Sequence, residues 1–197
     1  MSSSVARDSA EFQENRKPPK SVQTAIIVAF SSLIAVATFV SVPAPQPLGE
    51  ITWAPPIYMM LAVLAGPWIG FVATGMGSFI GEVFGVAYKG FPPIYAPGIV
   101  WARAPEALII GWARKKSTKA LIAAMVGATV FETFGFFFPD WAFYSYGVFY
   151  GSSNTGLWPG FAAASFDLLT IVDVVFVPVA LVLIRAARPA FRRLGYE

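Results

Sequence analysis

Apolar residues fall in six runs along the chain, separated by short stretches rich in proline, glycine or charge. The runs cover 21–42, 53–65, 69–87, 96–113, 120–138 and 161–184. The first contains no charged residue and is long enough to cross a bilayer core of about 30 Å as a helix. The segment "VPAPQP" cannot continue a helix, "GPW" favours a tight turn, and "YKGFPP" breaks the third run. The pattern predicts an all-α membrane protein, a bundle of six transmembrane helices, with five as the alternative count.

The polar ends divide the chain into three parts. Residues 1–20 are predicted to form a disordered cytoplasmic tail, 21–186 the six-helix transmembrane substrate-binding domain, and 187–197 a basic cytoplasmic tail. A signal peptide is the competing interpretation of the first run. The run is longer than a usual signal core, and acidic residues precede it, so a membrane span is favoured.

Basic residues cluster in three places that an even number of spans would put on one side. The N-terminal tail, the loop "RKKSTK" and the C-terminal segment each carry four basic residues, whereas Lys89 alone is expected on the other side. Because lysine and arginine favour cytoplasmic loops, both termini are predicted to be cytoplasmic and the protein to lie in the cell membrane.

Composition excludes several kinds of chemistry. The chain is 56% hydrophobic and 13% charged, and it has no cysteine and no histidine. Disulfides, thiol nucleophiles, cysteine–histidine zinc sites and histidine bases are therefore excluded. An enzyme would have to use carboxylates, with a metal held by Glu82, Glu106, Glu132 and Asp167 as the remaining possibility. We expect no enzyme, no metal and no nucleic-acid partner.

Six ionisable residues lie inside the predicted spans, where they are costly and usually face an interior or a cavity. They are Glu82, Arg103, Glu106, Glu132, Asp167 and Asp173. The predicted topology puts the first five at a similar outer depth and Asp173 nearer the middle. Arg103 and Glu106, three residues apart, could simply neutralise each other, and Glu132 or Asp167 could pair with Arg103 or with a bound cation. Four acids against one base favour a positively charged ligand.

Small residues form two patterns at helical spacing. Ala73, Gly77, Gly81 and Gly85 recur every four residues in the third run, which is typical of close helix packing. Ala25 and Ala29 are four apart in the first run. Spacing alone leaves open whether each face contacts a helix of this chain or of another protein.

The whole pattern resembles the substrate-binding S component of energy-coupling factor (ECF) vitamin transporters. The carrying residues are "AIIVA" at 25–29, similar to an alanine-x-x-x-alanine signature, and "LAVLAGPWIGFVATGMGSFIGE" at 61–82, similar to a glycine-proline turn and a glycine-rich helix ending in an acid. The resemblance implies that the chain captures a water-soluble vitamin from outside. It also implies that Ala25 and Ala29 touch a transmembrane coupling subunit. ATP would be used by two partner ATPases, in agreement with the lack of a P-loop here.

The same resemblance implies that the loop between spans five and six builds the ligand pocket. We expect this loop at 139–160, within and after the stretch "FETFGFFFPDWAFYSYGVFY". The predicted substrate-binding residues in this region are Trp141, Tyr144, Tyr146, Asn154 and Trp158. The membrane charges predicted to join them are Glu82, Arg103, Glu106, Glu132 and Asp167. The alternative is an aromatic belt at the membrane interface.

Aromatic faces stack flat heterocycles and attract cations. The box of rings and carboxylates therefore favours a thiamine-like ligand, with a deazapurine or a flavin as alternatives. The absence of histidine argues against cobalt or nickel, which members of this family bind through histidines near the N terminus. A stand-alone ion- or proton-coupled carrier, using Asp167 and Asp173, is the other functional hypothesis.

Overall fold

The computed structural model describes residues 18–43, 50–147 and 155–196. In chain order these residues form α1 (Lys20–Phe39), β1 (Ser41–Pro43), β2 (Glu50–Thr52), α2 (Ala54–Ala65), α3 (Pro67–Lys89), α4 (Tyr95–Ala113), α5 (Thr118–Tyr146), α6 (Leu157–Ala164), a 3₁₀ segment (Ser165–Val175) and α7 (Phe176–Arg193). Helices dominate, as the apolar pattern predicts. The short β1–β2 pair is a departure from the all-α class.

Four helical stretches are long and apolar enough to cross a membrane: α1, α3, α5 and the continuous segment Leu157–Arg193. They coincide with the first, third, fifth and sixth predicted spans. Helix α2 has 12 residues, and at about 1.5 Å per residue it is well short of a core of about 30 Å. Helix α4 has 19 residues, but it carries Arg103 and Glu106 and is not among the four. The count of six spans, and the side on which the termini lie, stay predictions.

Helix α2 lies at the centre of the fold. Every one of its residues except Ile57 is buried, and it packs against α1, α3, α4 and α7. Pro55 and Pro56 stand in its first turn, where a missing N–H leaves no hydrogen bond unmade. A helix enclosed by others on every side needs no polar face, which explains its uniformly apolar sequence.

The predicted end of span five at 138 is wrong, and the loop predicted from 139 to 160 is wrong at 139–146 and 157–160; residues 148–154 lie outside the described residues. Helix α5 continues through Pro139 to Tyr146 and ends at Gly147, which adopts the left-handed conformation with φ 68°. A proline leaves the carbonyl four residues earlier without its helical donor. Here that carbonyl belongs to Gly135, and the Trp101 side chain supplies the donor, with Nε1 at 3.1 Å. Trp141, Tyr144 and Tyr146 are therefore helical, and Trp158 lies in α6.

The small-residue stripe of α3 packs against α1, which confirms ordinary helix packing. A Cβ atom on Gly77 would come within 2.6 Å of the Ser31 carbonyl oxygen, and one on Gly81 within 2.7 Å of the Ala35 carbonyl oxygen. Such distances leave no room for a methyl group. The two helices approach at backbone contact because these positions lack side chains.

Strands β1 and β2 pair antiparallel, with Val42 opposite Ile51. Lys89, at the end of α3, donates from Nζ to the Phe39 carbonyl oxygen at 2.6 Å and to the Ser41 hydroxyl at 2.7 Å. The Trp53 N–H donates to the Ala37 carbonyl oxygen at 3.1 Å. These bonds fix the turn from α1 into α2.

The last helix is longer than predicted. Helix α7 reaches Arg193, so most of the segment predicted as a basic tail from 187 is helical. The stretch before it, Ser165–Val175, is wound as a 3₁₀ helix. Residues 1–17 of the disordered tail predicted at 1–20 lie outside the described residues, and Lys20 begins α1.

We expect Gly77→Ala to lower the free energy of unfolding by about 1–3 kcal/mol, since the added methyl group has to push α1 away. Gly127→Ala on α5 is the matched control, because a Cβ atom there meets nothing within 4 Å. The control gains helix propensity and should leave stability equal or slightly higher. Thermal unfolding in a non-ionic detergent measures both. Equal stability of the two variants would contradict the close α1–α3 contact.

Candidate functional site

Most of the predicted membrane charges meet in one buried group between α2, α4 and α5. We call it the inner polar cluster. Its members, each at most 5% exposed, bond to one another or lie in electrostatic contact: Tyr58, Arg103, Glu106, Thr129, Glu132 and Asp173. A group of polar side chains this deep has to satisfy itself, because water cannot do so.

Arg103 and Glu132 form the ion pair of this cluster, with Nε 2.8 Å from Oε1. The other guanidinium nitrogens donate to the hydroxyls of Thr38 at 3.4 Å and Thr52 at 2.9 Å. Arg103 thus connects α4 with α5, α1 and β2. The expected alternative, a neutralising pair with Glu106 on the same helix, is not what the structure contains. Pairing of Glu132 with Arg103 is confirmed.

Glu106 is held by two hydroxyl groups. The Tyr58 hydroxyl donates to its Oε2 at 2.5 Å, and the Thr129 hydroxyl donates to its Oε1 at 3.1 Å. The Tyr58 hydroxyl also lies 3.4 Å from Oε2 of Glu132. Donors of the protein therefore occupy both carboxyl groups, and Arg103 also offsets the charge of Glu132.

Asp173, on the 3₁₀ segment, is in electrostatic contact with Glu132 and Arg103. The predicted topology sets it at a different depth from these two residues. In the structure it belongs with them, so the 3₁₀ segment closes the inner polar cluster from the side of α7.

A second acidic group, which we call the aspartate pair, consists of Asp140 on α5 and Asp167 on the 3₁₀ segment. The two carboxyl groups are in electrostatic contact with each other, and Tyr95 is in electrostatic contact with Asp140. The Tyr95 and Tyr144 hydroxyls are 3.4 Å apart. One oxygen of each carboxyl group, Oδ2, is buried without a hydrogen-bond partner among the described residues. The pair thus offers two acceptors that this part of the chain leaves unfilled.

The aspartate pair and the "RKKSTK" loop lie at opposite ends of α4 and α5. The contacts Tyr95–Tyr144, Arg103–Glu132 and Glu106–Thr129 run in opposite order along the two helices, which are therefore antiparallel. Tyr95 begins α4 and Tyr144 lies near the end of α5. The inner polar cluster sits between the two ends.

Trp141 follows Asp140 in α5, and its side chain makes contacts of its own. Its indole Nε1 donates to the Leu157 carbonyl oxygen at 2.9 Å, and its ring packs edge-on against Phe161 with centroids 5.3 Å apart. Trp141 therefore joins α5 to α6. Tyr146 and Trp158 are 68% and 80% exposed and stand apart from this group.

The remaining predicted residues are placed as follows. Glu82 is buried on α3 with a carboxyl oxygen 3.4 Å from where a Cβ atom of Gly85 would lie; it belongs to neither acidic group as defined above. Ala25 and Ala29 are exposed on α1, away from the face that packs on α3. Asn154 lies outside the described residues.

In the ranges 18–43, 50–147 and 155–196, no three acidic side chains converge closely enough to hold a metal ion. The four acids considered for a metal-dependent enzyme are divided between α3, the inner polar cluster and the aspartate pair. This division removes the geometric basis of that alternative within the described residues.

Sequence reasoning missed Tyr58, Thr129 and Asp140. Tyr58 and Thr129 stand inside apolar runs, and a hydroxyl group that has to find a partner there is the signal that could have identified them. Asp140 was assigned to a loop because it follows Pro139. Had the helix been extended past the proline, Asp140 would have counted among the membrane charges.

We expect Tyr58→Phe to lower the free energy of unfolding by about 1–3 kcal/mol, because it leaves a buried Glu106 oxygen without its donor. Tyr88→Phe is the control, since that tyrosine is 76% exposed and should be neutral. Denaturation in mixed detergent, followed by tryptophan fluorescence, measures the difference. Equal loss in the two variants would argue against the Tyr58–Glu106 bond.

We expect Arg103→Met alone to cost about 3–5 kcal/mol, since it strands a buried carboxylate, and Arg103→Met combined with Glu132→Leu to recover a large part of that loss. The same denaturation assay compares the two. A double variant less stable than the single one would contradict the ion pair as the reason for the loss.

Comparisons with known proteins agree with this architecture. The family described as ECF-type riboflavin transporter, S component, matches residues 16–139, which is more than half of the chain. An uncharacterised protein of Pyrococcus woesei, described as lying in a gap 3' region, is 30% identical over 94 residues, covering 46% of this chain and 60% of that protein. The chain thus spans less than two thirds of that relative. No solved structure matches.

The matched region contains α1 to α4 and most of α5, including the ion pair and the Tyr58–Glu106 bond. S components are transporter subunits and not enzymes, as the sequence predicts. With four apolar helices long enough to cross a bilayer, the chain is a multi-pass membrane protein and belongs to the ECF-type riboflavin transporter S component family.

Proposed function

We propose that this chain is the substrate-capture subunit of an ATP-driven ECF importer and binds a flat heterocyclic vitamin of the riboflavin type. The observation that carries the proposal is the family match over 16–139. Nothing in the inner polar cluster is arranged for bond-making chemistry, since its acids are engaged by Arg103, Tyr58 and Thr129. The cluster serves to hold the helices in place around the ligand site.

The aspartate pair is the best candidate for the polar part of the ligand site. Buried acceptors without a partner are costly, and Asp140 and Asp167 each contribute one. A ligand with hydroxyl or ring N–H donors would fill them.

The charge argument for a thiamine-like ligand is weaker than it was from the sequence alone. It rested on four acids against one base, but Glu106 and Glu132 are already engaged by donors of the protein. Neighbouring buried carboxyl groups favour sharing a proton, which lowers their joint charge, so a neutral ligand with hydrogen-bonding groups can satisfy the free oxygens. This reasoning and the family description favour a flavin over thiamine.

Partner subunits would supply the energy. The chain has no P-loop, so a coupling subunit and two ATPases are proposed to drive release. The exposed face of α1 with Ala25 and Ala29 is the proposed contact with the coupling subunit, because small side chains allow a second helix to approach closely. The end carrying the basic loop is proposed to face the cytoplasm, with both termini.

We expect the purified protein to bind riboflavin without ATP, and Asp167→Asn to weaken binding about tenfold by replacing an acceptor oxygen with a donor. Asp173→Asn, on the same 3₁₀ segment, is the control, since it faces the inner polar cluster and should change stability rather than affinity. Quenching of flavin fluorescence measures affinity, with thiamine as a competitor. If thiamine binds and riboflavin does not, the flavin assignment is wrong. If neither binds, the capture function is wrong.

We expect Ala25→Trp and Ala29→Trp to reduce co-purification with the coupling subunit and ATPases while leaving ligand affinity unchanged. A bulky ring on this face blocks close helix contact. Ala123→Trp is the matched control, because Ala123 is also exposed but lies on α5. Equal assembly of all three variants would exclude this face as the contact.

A further inference from the structure

A pocket of about 250 Å³ lies at the end of the fold opposite the aspartate pair. It opens between the end of α2, the loop after α4 and the end of α7. Its lining combines apolar side chains at the base with four basic ones and a tyrosine: Val63, Leu64, Phe191, Arg114, Lys115, Arg188, Arg192 and Tyr196. The family match ends at 139, so the α7 wall of the pocket lies outside the matched region.

Basic residues near a helix end are common, because they complement the helix dipole and face the anionic membrane surface. Two observations go beyond that. The first is that the four basic side chains converge on one concave space without an ion-pair partner among the described residues. The ion pair found in this part of the chain is Arg103–Glu132. Converging cations repel one another, so an anion between them removes an unfavourable interaction.

Tyr196 supplies the second observation. Its side chain is 5% exposed, and its hydroxyl oxygen is buried without a hydrogen-bond partner among the described residues. Its backbone N–H donates to the Phe191 carbonyl oxygen at 2.9 Å, and its ring packs on Phe191 with centroids 5.8 Å apart. These contacts fold the residue back onto α7, where it lines the pocket. Burial raises the pKa of Tyr196, so the hydroxyl keeps its proton and can donate.

Arg114 is also held in place. Its guanidinium lies against Gly66, where a Cβ atom would come within 2.8 Å of Nη1. Gly66 has φ 100°, a conformation that glycine adopts readily and other residues do not. The turn between α2 and α3 thus leaves room for a guanidinium that is planar and presents several donors in a fixed geometry.

We propose that this pocket binds a phosphate group, with Arg114, Arg188 and Arg192 as charged donors and the Tyr196 hydroxyl as a neutral one. Arginine suits phosphate because its planar fork can donate two parallel hydrogen bonds. The volume is below the roughly 300–1,000 Å³ of sites for drug-sized ligands, so the pocket fits a small anionic group rather than a whole cofactor. The phosphate could belong to an anionic lipid headgroup or to a soluble phosphate ester.

The test uses the full chain in a non-ionic detergent at constant ionic strength, because surface charges are screened by salt. Inorganic phosphate and glycerol 3-phosphate are titrated, and binding is followed by thermal stability and by ³¹P line broadening. In a parallel arm, native mass spectrometry counts bound phosphatidylglycerol against phosphatidylcholine. Binding of the soluble probes indicates a soluble ligand, and binding of phosphatidylglycerol alone indicates a lipid headgroup. Either result supports a phosphate site.

The decisive comparison is Arg192→Gln against Arg193→Gln. Both residues lie in the last turn of α7 and both changes remove one charge, but Arg192 lines the pocket and Arg193 does not. We expect Arg192→Gln and Tyr196→Phe each to weaken binding of whichever probe binds wild type by about tenfold, and Arg193→Gln to leave it within about twofold. Equal losses at 192 and 193 would show general surface attraction and overturn the site. So would absence of binding by every probe.

Discussion

The buried ion pair between Arg103 and Glu132 fixes where the elements around it meet. Its atoms are 2.8 Å apart in a region that water does not reach, where each charge alone would be very costly. The same guanidinium reaches Thr38 and Thr52, so α1 and the strand before α2 have to meet α4 and α5 at this point. The close contact between the small residues of α3 and the backbone of α1 then positions α3. One buried charge therefore constrains the relative placement of five elements.

Charge is divided along the length of the bundle. Helices α4 and α5 run antiparallel, with the inner polar cluster between their ends. Among the described residues, carboxyl oxygens at one end and cations at the other have no hydrogen-bond or ion-pair partner. The middle cluster lies between the two ends, and its hydrogen bonds join α1, β2, α2, α4 and α5. The proposed ligand site and the proposed phosphate site therefore lie at opposite ends of one small chain.

The apolar pattern predicted the helices well and their ends poorly. The runs at 21–42 and 69–87 correspond to α1 and α3 because an uninterrupted apolar segment has few other ways to satisfy its backbone in a membrane. The end of α5 could not be predicted in this way. Pro139 normally ends a helix, and it does not here because Trp101, 38 residues earlier in the chain, donates to the Gly135 carbonyl oxygen. Rules based on local sequence fail where a tertiary contact supplies a hydrogen-bond donor that those rules assume to be missing.

The same limit applies to the candidate site. Counting charges singled out Arg103, Glu106, Glu132 and Asp167, but a count treats every acid as equally available. Availability depends on neutral donors such as the Tyr58 and Thr129 hydroxyls, which make no contribution to a charge count and engage Glu106 completely. Asp140 and Asp167, by contrast, keep unfilled oxygens. The preference for a cationic ligand came from the sum of charges, whereas the preference for a neutral donor-rich ligand comes from the few acceptors that the protein leaves without a partner.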